Sequence, residues 1–178
     1  MSFILLGILN SQAAGAGGAG AYDLLETTVL TSSASSVSFT GLDSYTDYKH
    51  LQLRIVANGG GLIYQRFNSD TGSNYAEHRL YGDGSSVNSQ GFASQTEMII
   101  GFGTTTTDVF AACVVDVLDF SSSNKNTTVR SLGGDNSDVA LGSGLWNNTN
   151  AVTSTDIFPN SGSFATGSRF SLYGIKGA

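Results

Sequence analysis

The sequence predicts an all-β protein, a jelly-roll-like antiparallel β-sandwich with an extended N-terminal arm. Three observations lead there. The chain holds 25 Ser, 17 Thr, 12 Asn and 23 Gly among 178 residues, with one Pro and 12% charged residues. Small polar residues of this kind suit turns and solvated strand faces and disfavour long helices. The apolar residues fall in short alternating runs separated by Gly, Asn and Ser clusters, which is the pattern of strands and turns rather than of a disordered chain. The longest apolar run, Val109–Phe120, is rich in β-branched and aromatic residues.

That run is the centre of the expected sandwich. At period two, one face carries Val109, Ala111, Cys113, Val115 and Val117; the other carries Phe110, Ala112, Val114, Leu118 and Phe120, with Asp116 among them. A buried helix is the rival reading, but four Val and the Ser-Ser-Ser-Asn stop at 121–124 favour a strand. Both faces are apolar, so both are expected to be covered: one by the opposite sheet, the other by a neighbouring subunit or an overlying loop. Asp116 needs a partner in such a setting, and Arg54 or Arg130 can supply it.

The remaining elements follow in chain order. Strands are expected over Leu24–Thr31 and Val37–Thr40, the latter closed by Gly41. Tyr48–Ala57 alternates clearly, with Leu51, Leu53, Ile55 and Ala57 on one side and His50, Gln52 and Arg54 on the solvent side. Asn58–Gly61 turns the chain into Leu62–Phe67. Asn68–Tyr75 reads as a loop, Glu77–Tyr81 as a short element of undetermined type, and Gly82–Ser94 as a long polar loop. Strands follow over Thr96–Phe102, Thr127–Leu132, Val139–Trp146, Val152–Phe158 and Arg169–Ile175. Val139–Trp146 lies within a longer polar segment, Gly133–Asn150, read with 82–94 as the long loops at one end of the sandwich. The total is about ten strands with turn signals between them, which favours a jelly roll over an immunoglobulin-type domain.

Residues 1–21 form a separate unit preceding a sandwich domain over 22–178. Phe3, Ile4, Leu5, Leu6, Ile8 and Leu9 make an apolar plug, and Ala13–Ala21 contains only Ala and Gly. The plug is too short to span a bilayer, so no membrane insertion is expected. The reading is an anchor on a leash, with the six apolar residues as a partner-binding segment that docks on another chain. Gly15–Gly20 formally matches G-x-G-x-x-G, but no βαβ pattern follows it, so it reads as a tether and not as a dinucleotide site.

The net charge of −6, with no Lys/Arg cluster, argues against nucleic-acid binding, which needs grouped cations. Cys113, the only cysteine, excludes an intrachain disulfide and a Cys-rich zinc site and reads as a small buried hydrophobe. His50 and His78 sit in no nucleophile motif. Asp116 and Asp119 point to opposite faces of a regular strand, so they do not serve one substrate as a glycosidase pair would; Glu77 and Asp83 lie in irregular chain. Asn68–Asn74 spaces oxygen groups as a calcium loop does, but position twelve is Arg79 rather than Glu, so an Asx-type turn is the better reading. Asn126 and Asn147 begin N-x-[ST] triplets, which chance explains in so Asn- and Thr-rich a chain. Trp146 is expected as a core or interface anchor rather than a ligand platform. No catalytic residue, cofactor or metal is expected.

Several strings resemble a known group. Ser2-Phe-Ile-Leu-Leu-Gly-Ile-Leu-Asn-Ser-Gln12, Tyr22-Asp-Leu-Leu-Glu-Thr27, Tyr48-Lys-His-Leu-Gln-Leu-Arg54, Asn124-Lys-Asn-Thr-Thr-Val-Arg-Ser131 and Gly167-Ser-Arg-Phe-Ser-Leu-Tyr-Gly-Ile-Lys-Gly177 are similar to small virion proteins of marine, cyanophage-like tailed bacteriophages. The resemblance covers nearly the whole chain. It implies a non-enzymatic virion component present in several copies, a trimer by preference, contacting other virion proteins. A capsid decoration or spike and a tail or fibre component both fit. A receptor- or carbohydrate-binding module that meets host surface glycan through its loops is the alternative.

Overall fold

The computed structural model describes residues 21–177, and within them the chain is all-β. The anchor residues Phe3, Ile4, Leu5, Leu6, Ile8 and Leu9, and the Gly/Ala tether to residue 20, lie outside the described residues. Twelve strands are present: β1 Tyr22–Val29, β2 Val37–Thr40, β3 His50–Ala57, β4 Leu62–Phe67, β5 Tyr75–Gly82, β6 Val87–Gln95, β7 Met98–Phe102, β8 Ala111–Leu118, β9 Thr127–Gly134, β10 Val139–Trp146, β11 Ser154–Pro159 and β12 Arg169–Ile175. They form two antiparallel sheets. The large one has the order β1-β12-β3-β8-β9-β10-β5-β6 and the small one β2-β11-β4-β7.

The core lies between the sheets, and the alternation along the strands decides which side chains enter it. Leu51, Leu53, Ile55 and Ala57 of β3 point inward with Ala111, Cys113, Val115 and Val117 of β8, and all eight are buried. Phe39, Phe67, Ile157 and Met98 meet them from the small sheet. Each large side chain buried this way contributes about 1.5–3 kcal/mol of apolar transfer. Phe164 and Phe170 close one end, with ring centroids 4.9 Å apart. Tyr48 lies against the backbone of β12 at Gly174, where an added Cβ would come within 2.4 Å of its ring.

Several sequence expectations change here. The segment 82–94 is not a long loop. It holds β6, paired with β5 along its length, and only residues 83–86 turn the chain. The strand escapes a periodicity search because it is the edge strand of the large sheet and is exposed on both sides over most of its length. Glu77–Tyr81 belongs to β5. The segment 133–150 is likewise mostly strand: the end of β9 and all of β10 form a hairpin around a tight turn at 135–138. In both turns an Asp side chain supplies the hydrogen bonds. Asp83 accepts from the backbone N–H groups of Ser85 (2.8 Å) and Ser86 (2.7 Å), and Asp135 accepts from those of Ser137 (2.7 Å) and Asp138 (2.8 Å). The two predicted loop clusters are therefore two hairpins that widen the large sheet.

Candidate functional site: the outer face of the large sheet

Register sets side chains from successive strands in rows across the outer face. One row runs Arg54, Val114, Leu132, Leu141, Leu80 and Ser89 through β3, β8, β9, β10, β5 and β6. Its four central residues are apolar and 40%, 57%, 56% and 54% exposed in that order. A parallel row carries Val56, Ala112, Val139 and Val87 with two glycines between them. Together they make a continuous apolar band across six strands, whereas a solvated sheet face ordinarily alternates toward polar residues. The expectation that something covers the second face of β8 is not met within the described chain: no loop lies over Val114.

The next row is polar: Gln52, Asp116, Arg130, Ser143, His78 and Gly91. Asp116 accepts from the Gln52 amide at 2.8 Å and pairs with Arg130 at 3.4 Å. Of the two arginines expected to answer Asp116, Arg130 does so directly. Arg54 instead donates to the Gln52 carbonyl oxygen at 2.9 Å and stacks over Tyr173 at 4.3 Å. Gln52, expected on the solvent side, is only 7% exposed under this cover. Farther along, Leu80, Leu141, His78, Ser143 and Arg130 line a groove of about 580 Å³. The His78 ring lies against Gly91, where a Cβ would come within 2.7 Å of it.

The other candidates from the sequence do not gather into one site. His50 sits at the start of β3, where its Nδ1 accepts from the Asp119 backbone N–H at 2.8 Å. Asp119 follows β8 in a left-handed conformation, φ 51°, and pairs with Lys125, whose hydrogen bond holds its carboxyl below the usual range against the opposing effect of burial. Asp83 is a turn cap. Cys113 is buried, its S–H donates to the Ile100 carbonyl at 2.9 Å, and burial pushes the thiol up to about 12. Trp146 is 1% exposed and packs on Phe67, a core anchor as expected. The 68–74 segment is a turn organised by Asp70, which accepts from Gly72 N–H at 2.8 Å and from the Asn74 amide at 2.9 Å. No group of three or more His, Cys, Asp and Glu able to hold a metal occurs among the described residues. Sequence reasoning missed the apolar row itself: Leu80, Leu132 and Leu141 each read as ordinary strand residues, and their alignment depends on pairings across separate hairpins.

No protein-family model matches the chain, and no curated protein matches its sequence. Among solved structures, the exo-inulinase of Aspergillus awamori is similar over 86% of this chain, at 12% identity and a TM-score of 0.35. This chain covers 28% of that protein. A likeness so weak carries nothing about activity or substrate. The class that the fold defines is therefore an all-β protein of two packed antiparallel sheets.

Proposed function

We propose that this protein is a structural component of a bacteriophage virion, presented as a homo-oligomer whose subunits meet through the outer face of the large sheet. The observation that carries the reading is the exposed apolar band through Val114, Leu132, Leu141 and Leu80. Large contiguous apolar patches on a soluble surface mark interaction sites, and closed cyclic symmetry is the usual way for identical chains to cover one. The resemblance of the sequence strings to small virion proteins supplies the setting, and it favours three copies. The strand order supports the jelly-roll form: β1-β12-β3-β8 runs in the large sheet and β2-β11-β4-β7 in the small one, with the β9-β10 and β5-β6 hairpins continuing the large sheet beyond β8, the arrangement that two Greek keys produce.

In this proposal the arm has a different task from the sheet face. Phe3, Ile4, Leu5, Leu6, Ile8 and Leu9 attach the oligomer to another virion protein, and the sheet face holds the copies together. The test is paired. Gold-labelled antibody should decorate virions, and deletion of residues 2–12 should leave a soluble oligomer that no longer joins the particle. Unimpaired incorporation of the truncated protein sinks the arm's role, and unlabelled virions sink the proposal as a whole.

A further inference from the structure

A second concavity lies away from the apolar band, at the corner where the β5–β6 edge of the large sheet meets β4 and β7. Leu62, Tyr64, Glu77, Phe92, Gln95 and Glu97 line a cleft of about 210 Å³ there. Glu77 points inward from β5 and is 5% exposed. Its Oε2 accepts from the Ile99 backbone N–H of β7, a link between the two sheets. The other oxygen takes no hydrogen bond from the described residues, nor does the Tyr64 hydroxyl; the Gln95 amide donates to Ala93 at 2.8 Å and keeps its carbonyl oxygen free. A carboxyl so deeply buried with half its acceptor capacity unused calls for a donor. Arg79 also lines the cleft, and its Nη1 is buried without a hydrogen-bond partner among the described residues, so a group that can accept as well as donate is called for.

The charge in the cleft decides what kind of donor. Glu97 is answered by Arg66 at 2.8 Å. Burial, foremost, pushes the Glu77 carboxyl up, and the charge of Glu97 adds to this, while the Ile99 N–H and Arg79 act against it. Arg79 lines the cleft beside Glu77 and Arg66 pairs with Glu97, so the cleft already holds its own cations and a further one gains little by entering. A hydroxyl both donates and accepts, which suits Glu77, Tyr64 and Gln95 together. Phe92 is 39% exposed on the edge strand and offers an apolar face. The cleft lies below the range for drug-sized ligands, about 300–1,000 Å³, and so matches a single ring.

We propose that this corner cleft binds one neutral sugar residue, with Glu77 and Tyr64 hydrogen-bonding its hydroxyl groups and Phe92 packing on its C–H face. The site stands apart from the virion reading and is tested on the purified chain alone. Methyl glycosides of neutral hexoses, and methylguanidinium as the cationic probe, are titrated into the isotope-labelled full-length protein while backbone amide shifts are followed. The expected result is a saturable shift of β5, β6 and β7 amides around the cleft with at least one glycoside and none with methylguanidinium. Loss of a carboxyl oxygen that bonds a sugar hydroxyl in Glu77→Gln should weaken binding about tenfold. Phe92→Ala, on an exposed edge where folding is not at stake, should weaken it to a similar degree. No shift with any glycoside, shifts away from the cleft, a stronger response to methylguanidinium, or unchanged affinity in Phe92→Ala each overturns the proposal.

Discussion

The indole N–H of Trp146 donates to the Asp70 carboxylate at 2.8 Å, joining the end of β10 to the turn after β4 across 76 residues of sequence. The same carboxylate accepts from Gly72 and Asn74. Burial works to raise the Asp70 pKa, but the hydrogen bonds from Trp146, Asn74, Gly72 and Asn148 outweigh it and hold the carboxyl below its ordinary range. A turn spaced like a calcium loop is thus filled by donors from the protein itself. Asp70→Ala strands the buried indole N–H and should cost about 1–3 kcal/mol, read as a lowered thermal midpoint, whereas added calcium should leave the wild-type midpoint unmoved.

The depressed value also sets a pH dependence. Asp70 binds its proton less readily folded than unfolded, so its contribution is complete above the unfolded value of about 3.9 and is lost as pH falls through the lower folded value. Thermal midpoints of the wild type should fall more steeply below about pH 4 than those of Asp70→Asn. Parallel curves would show that Asp70 carries no such linkage.

Cys113 should behave as an inert core residue. The thiolate is the reactive form, and a thiol pushed up to about 12 supplies almost none at neutral pH. It is also 3% exposed, with Gly101 and Gly133 closing in on either side. Labelling by a disulfide reagent should therefore proceed at the rate of unfolding and accelerate in denaturant. Fast labelling of the folded protein at neutral pH would contradict this burial.

The parts of the fold that were legible share one property: their signal is local. The Val-rich alternation of β8, the one-sided Leu-Ile pattern of β3 and the Asx turn at Asp70 follow from neighbouring residues and needed no knowledge of pairing. β6 was not legible, because Val87–Gln95 carries mostly polar and small residues on both sides and lies at an edge where no burial imposes a period. The outer apolar row was half legible. The sequence shows that Val114 occupies a second apolar face, but not that Leu132 and Leu141 sit beside it, since register is fixed by the whole sheet. The corner cleft was not legible at all: Glu77 and Ile99 meet through a contact between sheets, and Tyr64 and Phe92 join them from two further strands.

Gln52 illustrates the same limit and reverses one expectation. On alternation alone it is a solvent-side residue, and Gln52→Glu should be silent. In the folded chain Gln52 lies directly opposite Asp116, donates to it, and is roofed by Arg54. A glutamate there loses the donor and sets two carboxylates side by side, with the arginines compensating only in part. Like charges directly opposite destabilise a sheet, and a hydrogen bond to a charged group is worth about 1.5–3 kcal/mol. Gln52→Glu should accordingly unfold at measurably lower denaturant concentration than the wild type, and a coincident unfolding curve would refute this account.

The apolar band gives the last prediction. Val114 sits between Arg54 on β3 and Leu132 on β9, and it is 40% exposed in the single chain. Replacing it with Asp therefore leaves the core between the sheets intact, yet it puts a second carboxylate on the face that already carries Asp116. If that face joins identical subunits, the new charge has to be buried without a partner, a penalty of the several-kcal/mol kind that one desolvated ion brings. Leu141→Asp tests the same row two strands away, where His78 is the diagonal neighbour on β5. Light scattering on the full chain should report an oligomer for the wild type and a monomer for Val114→Asp, with nearly unchanged circular dichroism. If the arm docks on another protein, as proposed, the 2–12 deletion should keep the oligomeric state of the wild type. A wild-type monomer at micromolar concentration, or a Val114→Asp protein that retains the oligomeric mass, would remove this face from the assembly.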